Sequence, residues 1–298
     1  MEDAWVPGHE PGFNFLNVMN ASQGLPVFDD CFPELNQFIL NLVQAYEDGS
    51  LNSWQDMEGR VNANFTPQRM EQMESMVPGW QKMASYSGGI TLVHLMFVFL
   101  SLYILPEFQG LTPEQKQLAK WIVLFHDIDK FHIAGKKDTM HAFRSAVNAA
   151  RTLPNFGFRT AVSYPERIDS WGKYTTQAFI AEEGNAVPKP DNHKLPEILA
   201  GIEQLYANDT PAVLIIKTIL FHISFHEDDE YPTPAPLTED EIKRYMTSSL
   251  LPFSRIMMLS DNLAWTLFEP EYRDKRRKAA LAFFQNVENL IAAKQDRS

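Results

Sequence analysis

The dipeptide Thr-Pro opens an apolar-periodic run three times in this chain, at Thr66-Pro67, Thr112-Pro113 and Thr210-Pro211. The pairing has a mechanism. Threonine at the N-cap accepts a hydrogen bond from an otherwise orphaned N–H, and proline in the first helical position has no N–H to satisfy. TEDE at 238–241 adds a capping box, with Glu241 three residues after Thr238. Asp138 precedes TMHAFRSAVNAARTL as a candidate N-cap. These starts predict helices near 33–48, 67–84, 90–105, 113–126, 139–153, 194–207, 211–227, 239–250, 254–268 and 271–293. The alternation that marks a half-buried strand is absent. The expected fold is all-α, a single-domain helical bundle. Residues 1–85 are expected as an N-terminal helical extension packed on the core, and 86–298 as the main domain. The extension is free to cap a cleft, to form a homodimer surface, or to complete the bundle.

One segment departs from this pattern. Residues 154–192 mix proline, glycine, aromatics and charge without helical periodicity. A loop of that length inside a compact domain is usually functional or disordered. Its aromatics predict an ordered, lid-like excursion; a variable surface insertion is the alternative. Substrate selectivity is expected at Phe156, Phe158, Arg159, Tyr164, Trp171 and Lys173.

Composition removes several function classes. A content of 45% hydrophobic and 21% charged residues belongs to a globular protein with a sizeable core. A formal charge of −12 opposes binding to nucleic acid duplexes, which need a basic face. The one basic cluster, RDKRRK at 273–278, reads as a solvated helix face. Cys31 is the single cysteine, so neither an intrachain disulfide nor a cysteine-based zinc site is available. The opening MEDAWVPGHEPGFNF has acidic residues and no apolar core, unlike a secretory leader. ITLVHLMFVFLSLYIL at 90–105 is shorter than the roughly 18 to 20 apolar residues that span a bilayer, and it contains His94. A buried helix, no membrane association and a cytoplasmic location are the expectation.

The stretch WIVLFHDIDKF at 121–131 follows an apolar run at once with an imidazole, two carboxylates and an ammonium. With eight histidines in 298 residues, chance supplies a His-Asp dipeptide about as often as not, so context has to carry the reading. His94 lies in the most apolar helix. His126 and Asp127 end the next, and His141 begins the one after. His222 comes late in PAVLIIKTILFHISFH, and Asp261 interrupts SRIMMLSDNLAWTLF. Each is a polar residue where the pattern calls for Leu or Ile. Alone, each is most simply a hydrogen-bonded core residue. Together they are the imidazoles and carboxylates that a divalent transition metal takes as ligands. His226, four residues after His222, reads as a surface histidine, and His9, His132 and His193 receive no role.

The order His94, HDIDK, HAFRSAVNAARTL, ILFHISFH and LSDNLAW resembles the HD-domain superfamily of metal-dependent phosphohydrolases, over about 90–268. The resemblance implies that His94, His126, Asp127 and Asp261 hold one metal. It implies that Asp127 bridges to a second metal held also by His141 and His222. Lys130 matches the lysine that faces the substrate phosphate; Arg144, three residues past His141, is either a further contact with that phosphate or part of a structural ion pair. One or two ions of Fe, Mn, Ni, Co or Zn are the implied cofactor. The implied reaction is hydrolysis of a phosphoester in a small molecule, a nucleotide among the candidates. The family commonly has glycine where this chain has Asp129, a residue suited to orienting a ligand histidine but repulsive to an anionic substrate. That repulsion favours the alternative, a di-iron HD-type oxygenase, which needs the same six ligands. A non-catalytic metal-binding sensor is the third reading.

Overall fold

Residues 91 to 102 are buried without interruption, so the helix they form has no outward face and must run through the middle of the molecule. The computed structural model describes residues 25–85, 89–131, 138–162, 165–181, 188–225 and 233–295. His9, His132, Tyr164 and His226 lie outside them. Among the described residues no helix is long and apolar enough to cross a membrane.

The chain opens with α1 (Phe28–Cys31), α2 (Pro33–Glu47), α3 (Trp54–Asn64), α4 (Pro67–Met76) and α5 (Trp80–Ser85). The central α6 (Ile90–Ile104) follows, then α7 (Pro106–Gln109), α8 (Pro113–Phe125) and α9 (His141–Thr152). The remainder is α10 (Glu166–Thr176), a short antiparallel pair β1 (Phe179–Ile180) and β2 (Lys189–Pro190), α11 (Leu195–Tyr206) and α12 (Pro211–Phe221). Finally come α13 (Glu239–Tyr245), α14 (Leu251–Thr266) and α15 (Pro270–Gln295). The all-α expectation holds.

Each Thr-Pro start is a helix start. The hydroxyls of Thr66, Thr112 and Thr210 accept from the backbone N–H of Arg69, Gln115 and Val213. Thr238 and Glu241 form the reciprocal capping box. Asp138 departs from expectation: α9 starts three residues later, behind Met140, with no side-chain cap. The Asp138 carboxylate still accepts from the Met140 N–H at 3.2 Å, and it also meets Arg144 and the N–H of Phe131.

Three further differences have local causes. The run predicted over 67–84 breaks at Val77-Pro78-Gly79, where Gly79 has φ 104° and the Glu74 carboxylate accepts from Gly79 and Gln81 to start α5. A Cβ on Gly79 would come within 3.2 Å of the Ile128 carbonyl, so glycine is what lets the extension approach the HDIDK loop. The helix α3 escaped notice because it buries only Met57 and Val61, too thin a stripe to read as a period. The segment 154–192 contains α10, and Phe156, Phe158 and Trp171 belong to the core, whereas Tyr174 and Phe179 are exposed. Phe156 and Phe158 pack on Trp121, and buried Trp171 donates from Nε1 to the Ile198 carbonyl at 3.0 Å. Arg159 and Lys173 are exposed.

The helices α2, α3 and α5 pack on α6, and α1 packs on α8. Lys120 of α8 is buried against Asp29 at 2.6 Å, Trp121 Nε1 donates to the Pro26 carbonyl at 2.9 Å, and Trp54 stacks on Phe97. One hydrophobic core runs through residues on both sides of position 86.

Candidate metal centre

Helix ends build the centre. α8 stops at Phe125, so His126 is its C-cap; α12 stops at Phe221, so His222 is its C-cap; His141 is the first residue of α9. The backbone carbonyls near a helix terminus lack intrahelical partners and are open to side-chain donors. The His126 and His222 imidazoles each use one, and the His141 imidazole uses a loop carbonyl just ahead of α9. His126 Nδ1 donates to Val123 O at 2.8 Å, His141 Nδ1 to Asp138 O at 2.6 Å, and His222 Nδ1 to Ile219 O at 2.6 Å. A carbonyl oxygen only accepts, so all three Nδ1 atoms carry the hydrogen and all three Nε2 atoms present lone pairs inward.

Those lone pairs converge on Asp127, which is 1% exposed. Its Oδ1 lies 3.2 Å from His141 Nε2 and 3.6 Å from His222 Nε2. Its Oδ2 lies 3.6 Å from His126 Nε2, 3.8 Å from His94 Nε2 and 2.7 Å from Lys130 Nζ. Two groups of donors therefore share one carboxylate: His94, His126 and Asp127, and Asp127, His141 and His222, each with donor atoms within 4.8 Å of one another. Asp261, the most open of the set with its side chain 28% exposed, meets His94 Nε2 at 2.8 Å.

His94 is oriented differently, because the middle of α6 has no spare carbonyl to offer. Its ring lies against Trp265, centroids 4.3 Å apart and 20° from parallel, and Trp265 stacks in turn on Trp54. Trp265 was not anticipated, although it stands four residues after Asp261 and so on the same helical face.

The electrostatics are those of a site built around positive charge. Burial pushes the His126 pKa down to about 4, opposed by Asp127. Burial also lowers His141 despite the same carboxylate. Burial opposes the charge on Asp127, yet Lys130, His126 and His141 together hold its carboxyl well below the usual range. Asp261 is held low against burial by its hydrogen bond and charge interaction with His94. For Lys130, burial works against the ammonium but Asp127 outweighs it, and the pKa is raised.

These donors fit a metal on a direct structural test. His126 Nε2 and Asp127 Oδ1 are buried with no hydrogen-bond partner among the described residues. His141 Nε2 and His222 Nε2 face each other at 3.0 Å, acceptor to acceptor, since both hydrogens are on Nδ1. Either a proton or a metal ion between the two nitrogens relieves that contact. The buried cluster of His94, His126, Asp127, His141 and His222 can hold a metal ion.

The remaining expected residues divide. Lys130 lies at the cluster, its side chain 31% exposed. Arg144 is engaged beside it: its guanidinium donates to the Asp138 carboxylate and to the Asp129 carbonyl, and lies 4.3 Å from the centre of the Phe131 ring. Asp129 touches no ligand histidine. Its carboxylate accepts from Lys82 of α5 at 3.0 Å and from Asn148 at 3.2 Å, while its N–H donates to Ser145. Lys82 thus offsets the Asp129 charge and Asn148 adds a hydrogen bond, and nothing in their local sequence marks them for it.

Comparison with protein families, with curated proteins and with solved structures finds no match to this chain.

Proposed function

We propose that the chain is a metal-dependent hydrolase of the HD-domain type, acting on the phosphoester of a small molecule such as a nucleotide. The observation that carries this reading is the shared carboxylate: Asp127 sits between two histidine groups, and the Nε2 atoms of His126, His141 and His222 turn inward towards it. One or two divalent ions of Fe, Mn, Ni, Co or Zn suit a set of imidazoles and carboxylates. Such an ion supplies a bound water of pKa about 7 and a Lewis acid for the phosphoryl group.

The chain's own residues do the rest. His94, His126, Asp127 and Asp261 form one donor group, and Asp127, His141 and His222 the other. Backbone carbonyls and Trp265 keep the rings from turning away, which spares reorganisation when a ligand arrives. Lys130 now serves as the counter-charge of Asp127 at 2.7 Å. With a cation bound it is the ammonium left to meet a phosphoryl oxygen. Lys82 neutralises Asp129, which removes the repulsion that favoured the oxygenase reading.

The test is elemental analysis of protein purified without added metal or chelator, followed by turnover of p-nitrophenyl phosphate and of nucleoside monophosphates. The expected result is at least one of these transition metals per chain and hydrolysis that disappears in Asp127→Ala. Two irons with no phosphoester turnover would return the choice to the oxygenase. No metal, and none taken up on reconstitution, would overturn the centre itself.

A further inference from the structure

The helix that delivers Asp261 has a second face. Residues 261 and 265 lie on one side of α14, while Leu259, Leu263 and Thr266 point away from them and Asn262 lies between the two faces. The latter four line a cavity of about 190 Å³, closed on its other wall by the end of α6 and the start of α7. The third wall comes from α15 and consists of Arg273, Arg276 and Arg277. RDKRRK is therefore not merely a solvated face: three of its arginines border a cavity that is partly open to solvent.

The two halves of the cavity differ in kind. Ile104, Leu105, Leu259 and Leu263 form an apolar half. The guanidinium half has unused capacity. Arg273 commits only Nε, to Asp274 at 3.2 Å, leaving its terminal nitrogens without a hydrogen bond among the described residues. Arg277 commits Nη2 to Glu107 at 2.6 Å, and its Nη1 is buried without an acceptor. Arg276 donates to Asn262 at 2.8 Å, which ties α15 to the cavity wall. A buried donor without an acceptor is destabilising, the more so when it is charged. The planar guanidinium fork matches a carboxylate in geometry and charge. A hydrated inorganic anion would satisfy the arginines but not the apolar half, and an uncharged hydrocarbon the reverse.

We propose that this cavity is a ligand site for a small monocarboxylate with an apolar body, a short fatty acid being the simplest member. It uses none of the metal-centre side chains, so it stands apart from the function proposed above. Its connections to the centre are two helices, α14, which also carries Asp261 and Trp265, and α6, which carries His94 and ends at the cavity with Ile104.

The test is calorimetric titration of the full-length protein at low salt with hexanoate, with hexan-1-ol and inorganic phosphate titrated in parallel. Hexanoate is expected to bind one per chain, with hexan-1-ol and phosphate at least tenfold weaker. Arg273→Gln, which breaks no buried ion pair, is expected to weaken hexanoate about tenfold. Leu263→Trp, which fills the apolar half, is expected to abolish binding. Thermal melting and metal content, measured on both variants, are expected to stay at the wild-type values and so separate loss of the site from loss of the fold. Absence of hexanoate binding to the wild-type chain would overturn the proposal, as would binding unchanged in both variants. Hexan-1-ol as tight as hexanoate would refute anion recognition, and phosphate as tight would refute the apolar half.

Discussion

Three histidines in this chain share one device, an Nδ1–H given to a carbonyl three residues back, and it decides what each ring can do. His126, His141 and His222 are locked as Nε2 lone-pair donors by the backbone itself. Removing a ring or the shared carboxylate should therefore remove the metal rather than merely weaken it. His126→Ala and Asp127→Ala are expected to reduce metal per chain to near zero by elemental analysis. Arg144→Gln should keep its metal while melting at a lower temperature, because its guanidinium braces the Asp138 and Asp129 positions and not the ions. Metal loss in Arg144→Gln would place that residue in the site after all. The pH dependence has a definite sign. The His126 pKa is depressed in the folded chain, from 6.5 to about 4. Its contribution to stability is present above 6.5 and is lost as pH falls towards about 4, where unfolding comes to be favoured by proton uptake. Metal-free protein titrated with urea from pH 7.5 to 4 should lose stability through that window. A flat profile would mean that His126 is not buried neutral.

At the scale of elements, the extension and the HDIDK loop are one construction. Lys82 of α5 pairs with Asp129, and Gly79 at the start of α5 allows the backbone to approach Ile128. Both partners of the pair are partly exposed, so the interaction is worth about 0.5–1 kcal/mol. A double-mutant cycle of Lys82→Met and Asp129→Asn should return coupling of that size. A cycle of zero would show that the two changes act independently and that α5 does not support the loop. The capping threonines can be checked singly. Thr112→Ala removes a hydroxyl bonded to Gln115 N–H and should cost about 1 kcal/mol in urea unfolding. The helix starts were legible because caps act within four residues. Several ends were legible too, as at Glu47, Ile104 and Phe125, but that of α12 was not: the expected run to 227 stops at Phe221, where the chain turns to bring His222 inward.

For the whole molecule, metal and fold should be linked. A ligand that binds only the folded chain stabilises it by about 2.7 kcal/mol at a hundredfold excess over Kd, which is several degrees in Tm for a chain of this size. Chelation should lower Tm by that order and zinc or manganese should restore it; an unchanged Tm would separate the cluster from any bound ion. Much of this molecule was readable from local signals. The Thr-Pro caps, the uninterrupted apolar run of α6 and the absence of alternation depend on neighbours in the chain, and they define an all-α protein. The polar residues standing where Leu or Ile belonged marked the candidate ligands for the same reason, since a polar group in an apolar pattern needs a partner. Which partner it has is a property of three dimensions. Sequence separation of 167 residues lies between His94 and Asp261, and 81 between His141 and His222. Trp265 on His94, Lys82 on Asp129 and the arginine-lined cavity behind α14 have no local signature, because their meaning comes from what the folded chain sets opposite them.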